Sequence, residues 1–284
     1  MRILNGKSIS QEIREEVRQE TESWMKKGYR APGLAVVQCG LDPASAVYVR
    51  NKEKACEKAG FNSYKYELDE NITEDKLLEL LTQLNLDAKV DGILIQLPLP
   101  GHIDERKVLA AIDPWKDVDA FSPVNAGRLF LGLDGFVPCT PYGVVELLKR
   151  EKIELSGKHA VILGRSNIVG KPQAFLLLRE NCTVTICHSR TKDLPALCRQ
   201  ADILISAMGR PKMIDSQYTH PDQIIVDVSI NQDENGKLCG DVDFDKVAEN
   251  VQAITPVPGG VGPMTIAMLL KQSMKAYRRH LKLD

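Results

Sequence analysis

The sequence predicts an α/β fold in two lobes, the second of them Rossmann-like. Three observations carry this. Short apolar runs of strand length alternate with helix-length amphipathic patterns along the chain, as in parallel sheets covered by helices. The 284 residues are many for one core and suggest two domains. Residues 161–172, VILGRSNIVGKP, run from an apolar strand through a glycine turn into a helix. That order brings backbone N–H groups and a helix N-terminus against a pyrophosphate.

The elements follow in order. Ser8 opens the first helix with Gln11 three residues on, a capping box. Ile9, Ile13, Val17 and Trp24 form its apolar stripe, and Gly28 ends it. Residues 34–39 read as a buried strand, 43–59 as a helix closed by Gly60, and 61–68 as the next strand. Thr73 caps a helix to Leu86, with Glu74 and Asp75 in its first turn. A strand over 92–97 breaks at Pro98 and Pro100. Residues 113–139, rich in Pro, Gly and Asp, read as loop. Thr140 and Pro141 then open a helix as cap and first residue. A second block follows: strand 159–163, helix 170–180, strand 183–187, helix 193–200, and strands 202–206 and 224–228. Asn235-Gly236 reads as a hairpin turn. A last helix from Pro263 to about Leu281 is long enough to return to the first lobe. The expected domains are 1–139, joined by the C-terminal helix 264–284, and 140–263.

Composition excludes several classes. A net charge of −1 offers no footprint for nucleic acid or an anionic membrane. Seven cysteines without a CxxC or paired spacing point to reduced thiols in a cytoplasmic protein. The five histidines are scattered and suggest no metal site. The N-terminus, MRILNGKSISQEIREE, has acids and no apolar signal core. No apolar run reaches the ~18 residues of a membrane span.

The glycine turn departs from GxGxxG, because Ser166 stands between Gly164 and Gly170. The following strand ends in His188-Ser189-Arg190-Thr191. An NAD site would carry an acid near there for the ribose 2′-OH. Hydroxyl and cation instead, with Arg165 in the turn, suit a 2′-phosphate, so the cofactor reads as NADP.

Tyr48 and Lys52 lie four apart on a predicted helix and share a face. An arbitrary YxxxK is a packed tyrosine beside a solvated lysine. Two features favour a site: the helix follows a tight Leu41-Asp42-Pro43 turn at a strand's carboxyl end, and the strand at 92–97 delivers a polar Gln96. Asp117 reads as a solvated loop acid, and Asp119, beside Ala120 and Phe121, as partly buried and in need of donors. Residues 255–265, TPVPGGVGPMT, form a rigid close-approach loop that ends on the last helix.

The stretches YVRNKEKACEKAGF (48–61), DGILIQLPLPGHID (91–104), PWKDVDAF (114–121), PCTPYGV (138–144), GRSNIVGKP (164–172), HSRT (188–191), GDVDF (240–244) and TPVPGGVGPMT (255–265) come in one order over nearly the whole chain. Together they resemble the bifunctional methylenetetrahydrofolate dehydrogenase/cyclohydrolase (FolD) family. The resemblance implies oxidation of 5,10-methylenetetrahydrofolate with NADP, then hydrolysis of the methenyl product to 10-formyltetrahydrofolate, in one-carbon metabolism. It makes Lys52 the central catalytic group, positioned by Gln96. It packs Tyr48 against the folate, makes Asp119 the anchor of the pterin ring, and adds Leu97, Pro258 and Gly259 on the substrate side. Arg165 and Ser189 take the 2′-phosphate. Gly164, Ser166, Ile168, Arg190, Ile230, Gly259, Gly262 and Thr265 line the rest of the cofactor. A homodimer formed through the cofactor domain is also implied.

Four positions depart from the family pattern: Ala46 for a polar residue, Ala120 for a glycine, Gln173 for an apolar residue and Ser229 for a glycine. Ala120 alters the loop backbone if positive φ is needed there. Competing readings are a monofunctional dehydrogenase of the same family, a dinucleotide-binding regulatory protein without turnover, and an amino-acid or hydroxy-acid dehydrogenase of similar build. A regulatory protein has no reason to keep Tyr48, Lys52, Gln96 and Asp119 together.

Overall fold

The computed structural model describes residues 1–40 and 43–283, and the side chains of all of these except 43–48. In chain order the main elements are β1 (Arg2–Ile3), α1 (Gly6–Lys26), β2 (Gly33–Cys39), α2 (Pro43–Lys58), β3 (Asn62–Leu68), α3 (Glu74–Leu86), β4 (Gly92–Ile95), α4 (Glu105–Ala110), α5 (Pro123–Leu131), α6 (Cys139–Arg150), β5 (His159–Leu163), α7 (Gly170–Arg179), β6 (Thr183–Cys187), α8 (Leu194–Cys198), β7 (Ile203–Ser206), β8 (Ile224–Asp227), β9 (Asn231–Gln232), β10 (Leu238–Cys239), α9 (Phe244–Val247), β11 (Ala253–Ile254) and α10 (Val261–Leu281). They form two compact units: Met1–Gln11 with Thr140–Thr265, and Glu12–Cys139 with Ile266–Asp284.

The second of these units holds a three-stranded parallel sheet in the order β3-β2-β4. β2 is buried along its whole length, and its sequence is apolar except for Gln38. Val37 and Ala35 pack with Leu77, Leu81 and Leu84 of α3 and with Val108 and Ile112. α3 is capped as expected, with Thr73 Oγ1 accepting from Lys76 N. The C-terminal part of α10 belongs to this unit. It is tied in by Tyr277 Oη donating to Arg30 O (2.7 Å) and by His280 Nδ1 against Asp91 Oδ1 (2.8 Å).

The other unit holds a six-stranded sheet, β1-β11-β8-β7-β5-β6, in which every pairing is parallel. β5 lies between β6 and β7, so the strand order reverses there. Such a reversal is where doubly wound sheets bind ligands, outside the carboxyl ends of the strands. Its core includes Val161, Leu163, Leu204, Ile225 and Ile254. The hairpin is present: β9 and β10 pair antiparallel around Gly236, whose φ is 73°.

Three features differ from the sequence reading. Asn5, not Ser8, caps α1: its Oδ1 accepts from Ser8 N at 3.1 Å. Residues 113–139 are not all loop, because α5 lies inside them. Its signals are local: Ser122 accepts from Asn125 N, Pro123 begins the helix and Gly132 ends it at φ 71°. The strand β1 was not anticipated. Two residues carry no period, and its partner Ala253–Ile254 lies at the far end of the sequence.

Candidate active site

Lys52 and Gln96 meet at the carboxyl end of the three-stranded sheet. Lys52 lies on α2, which follows β2, and Gln96 directly follows β4. Gln96 N donates to Val37 O (2.8 Å), so its backbone continues the ladder. Its side chain is used at both ends: Oε1 accepts from Lys52 Nζ (3.1 Å) and Nε2 donates to Leu97 O (2.8 Å). A lysine can only donate, so this pairing fixes which way the amide faces. Both side chains are half-buried. The side chain of Tyr48, the Leu41-Asp42 turn and the side chain of Ala46 lie outside the described residues.

Asp119 is brought to the same sheet end by residues 116–118, which run parallel beside β4. Ile93 N donates to Lys116 O (2.7 Å), and Ile93 bridges Asp117. Asp117 is not solvated: it is 1% exposed. Its carboxylate accepts from Phe121 N (3.2 Å), Ser122 N (2.9 Å) and Asn125 Nδ2 (3.0 Å), so it builds the turn into α5. Burial pushes this carboxyl up, against the pull of those donors. Asp119 itself is half-buried. The Cys139 thiol is held protonated, first by its burial and then by the Asp119 carboxylate beside it. Ala120 sits at φ 58°, in the left-handed region. The glycine that the family pattern has at this position raised that possibility.

In the six-stranded sheet, β5 delivers residues 164–168, β6 delivers Ser189 and Arg190, and β8 leads to Ile230. All leave carboxyl ends of parallel strands. Gly164 has φ 122°, and a Cβ there would lie 2.4 Å from Ala207 O. A Cβ on Gly170 would lie 2.2 Å from Gly164 O. The turn therefore needs both glycines. Ser166 Oγ accepts from Val169 N (3.1 Å) and Gly170 N (3.3 Å). The serine thus caps α7 in place of a second turn glycine. Arg165, Ser189 and Arg190 are exposed, and no acid stands between β6 and Asp193. This set suits a 2′-phosphate, and residues 188–192 include no carboxylate to accept from a free 2′-OH. Ile168 and Ile230 are also exposed. Pro258, Gly259, Gly262 and Thr265 lie in the loop after β11 and the first turn of α10. Thr265 Oγ1 is 3.0 Å from Thr140 Oγ1.

Sequence reasoning missed a buried carboxylate hub behind these strand ends. Asp241 Oδ2 accepts from Ser206 Oγ, Met208 N and Ser229 Oγ at 2.7–2.8 Å. Its Oδ1 accepts from Arg210 N (2.7 Å) and Asn231 Nδ2 (3.0 Å). Ser229, where the family pattern has glycine, also accepts from Gly209 N (3.1 Å) and so joins the loops after β7 and β8. Beside it, burial and then the charge of Asp241 push Asp227 up to about 7, opposed by the Val242 N–H bond. The only sequence signal was the GDVDF stretch. Among the described residues no group of three or more His, Cys, Asp or Glu could hold a metal, and no helix is long and apolar enough to cross a membrane.

The tetrahydrofolate dehydrogenase/cyclohydrolase catalytic-domain model matches residues 4–119, and the family's NAD(P)-binding-domain model matches residues 138–281. The bifunctional protein FolD of Agathobacter rectalis is 56% identical over 98% of this chain and 99% of its own length. The crystal structure of the bifunctional FolD methylenetetrahydrofolate dehydrogenase/cyclohydrolase of Campylobacter jejuni is 50% identical, with a TM-score of 0.96 over 98% of this chain and 99% of that one. The Trypanosoma brucei enzyme, complexed with NADP cofactor and an inhibitor, is 37% identical with a TM-score of 0.93, over 99% and 98% of the two chains. The chain belongs to the tetrahydrofolate dehydrogenase/cyclohydrolase family.

Proposed function

We propose that this chain oxidises 5,10-methylenetetrahydrofolate to the 5,10-methenyl form with NADP, and then hydrolyses that product to 10-formyltetrahydrofolate. The observation that carries the reading is the Lys52–Gln96 pair at the carboxyl end of the three-stranded sheet. NADP, when bound, accepts the hydride.

The chain's own residues bind, orient and move protons. Lys52 is the acid–base group of the hydrolytic step, in which water adds to the methenyl carbon, the bond from that carbon to N5 breaks, and of the two protons of water one passes to N5 and one is released. Gln96 holds the amine in place, because its amide has no other orientation that satisfies both Lys52 and Leu97. Asp119 accepts N–H donors of the pterin ring, a charge-assisted recognition that a ring rich in N–H groups suits. Tyr48 packs on the folate, and Leu97 lies beside the pair. Arg165 and Ser189 hold the 2′-phosphate, with Arg190 close in sequence. The glycine turn, from Gly164 through Ser166 to Ile168, approaches the pyrophosphate. Ile230, Gly262 and Thr265 flank the remainder, and Pro258 and Gly259 contact ligand from the loop after β11. We assign folate chemistry to residues 12–139 with helix residues 266–284, and the cofactor to residues 140–265; the N-terminal residues 1–11, expected with the folate lobe, go with the cofactor instead because β1 pairs with β11.

We further propose a cytoplasmic homodimer formed through the cofactor-side unit. β6 is the edge strand of the six-stranded sheet and leaves Ile186 exposed, with Leu178 exposed on the preceding helix. An open apolar edge invites a second copy.

The experiment uses purified protein with 5,10-methylenetetrahydrofolate and either NADP or NAD. Nicotinamide reduction and methenyl decay are followed separately. Reduction with NADP together with accelerated methenyl decay is expected. NADP binding with neither activity would return the chain to the regulatory reading.

A further inference from the structure

We propose that Gln272 is a positioning residue for folate binding: its buried amide clamps the backbone that presents Asp119. This rests on the reading of Asp119 as the pterin anchor. Gln272 lies on α10 at 3% exposure, on a helix whose neighbouring buried residues are Met268, Leu269, Leu270 and Met274. A glutamine in such company costs stability unless its polar atoms are bonded. Here every hydrogen-bonding group is used. Oε1 accepts from Val137 N (2.9 Å), and Nε2 donates to Val137 O and Val118 O, both at 2.7 Å. Val137 is thus held at both its N–H and its C=O, as a strand partner would hold it.

The Val118 carbonyl is the important contact. It belongs to the peptide unit that ends in Asp119 N, and that unit is planar and rigid. Fixing its oxygen fixes where Asp119 begins. On the other side Ala120 is set at φ 58°, and its N–H closes the turn onto Asp117 O (3.0 Å). Cys139 completes the clamp. Its thiol donates to the same Val118 O (3.4 Å), and Gln272 Nε2 lies 3.4 Å from its sulfur. One amide therefore gathers α10, residues 137–139 and the Asp119 loop, without itself touching any candidate substrate group. Packing alone does not require it, since a methionine of similar volume would fill the space with no polar atoms to satisfy.

The test is a double-mutant cycle between Gln272→Met and Asp119→Asn, read by the KM for 5,10-methylenetetrahydrofolate, the KM for NADP and the thermal midpoint. Where turnover is too slow, the Kd of tetrahydrofolate replaces KM. Gln272→Met is expected to raise the folate KM about tenfold, with the NADP KM within about twofold, since small misplacements cost binding at the reacting group alone. In the Asp119→Asn background the same change should move the folate KM by less than about twofold, because both act through one carboxylate. Full additivity overturns the inference. So does a lowered thermal midpoint with both KM values unchanged, the mark of a purely structural glutamine. If Asp119→Asn alone leaves the folate KM unchanged, the anchoring role of Asp119 falls and this inference with it. A clear Asp119→Asn defect with a wild-type KM in Gln272→Met overturns the positioning only. Should Gln272→Met fail to fold, Gln272→Asn, one methylene shorter but still an amide, is expected to raise the folate KM in the same direction. An unchanged KM there overturns the inference as well.

Discussion

Lys52 Nζ donates to Gln96 Oε1 across 3.1 Å, from residues 44 apart in the chain. The pair holds the Lys52 side chain at the end of a parallel sheet, with its partner amide locked on Leu97 O. Replacing Lys52 by methionine keeps the volume and removes the proton carrier. We expect methenyl hydrolysis to fall by at least about a hundredfold. Full hydrolysis by this variant, measured as methenyl decay above the buffer rate, would remove Lys52 from the mechanism.

The exposed groups at the ends of β5 and β6 make a separate prediction. Changing Arg165 and Ser189 together to residues without donors should raise the NADP KM roughly ten- to hundredfold, the worth of one or two charge-assisted hydrogen bonds. The NAD KM should barely move, since NAD lacks the phosphate. Equal effects on the two cofactors would refute the 2′-phosphate role.

Ala120 holds a left-handed backbone at φ 58°. A Cβ makes that conformation costly, and glycine adopts it freely. Ala120→Gly should therefore stabilise the folded state by about 0.5–1 kcal/mol, after the entropy glycine adds to the unfolded chain. Urea midpoints of the two proteins decide it, and a lower midpoint in the variant would contradict the strain.

Gln173, on α7, is fully buried, and among the described residues neither its Oε1 nor its Nε2 has a hydrogen-bond partner. Stranding an amide costs about 1–3 kcal/mol. Gln173→Met, close in volume, should raise stability by about 1–2 kcal/mol. An unchanged or lower melting point would mean the amide is satisfied in solution.

Asp227 gives the fold a pH dependence. Its folded-state carboxyl stands at about 7 against an ordinary 3.8. Between those values the native state keeps a proton that the unfolded chain has released. The contribution to stability is fully present below about pH 4 and is lost as pH rises through 7. The free energy of unfolding should drop over that window by on the order of 2–4 kcal/mol from this group. Asp227→Asn, compared with wild type by urea melts from pH 4 to 8, should flatten that part of the profile. Identical profiles would show that Asp227 is ionised throughout.

Much of this was legible in the chain itself. Thr73, Gly28 and Gly60 mark helix ends through their own conformational preferences. The apolar run of β2 announces a strand buried on both faces. The shared face of Tyr48 and Lys52, and the polar intruder Gln96, marked candidate residues before any fold was known. α5 was missed although Ser122, Pro123 and Gly132 spell it out, because the Pro- and Gly-rich surroundings outweighed them. Asp117 was misjudged because its donors lie four to eight residues on, in a turn that no periodicity reveals.

What the sequence determined by itself is local: which segments are strands and helices, which turn requires glycine, and which residue types lie near strand ends. These follow from backbone sterics and short-range hydrogen bonds. The tertiary structure alone decided which residues meet. Gln272 reaches Val118 O across 154 positions, and Asp241 gathers Ser206 from 35 positions away. Such partners are chosen by burial. Once a polar atom leaves water, it must find whatever donor or acceptor the packed core brings within reach, and sequence distance places no limit on that.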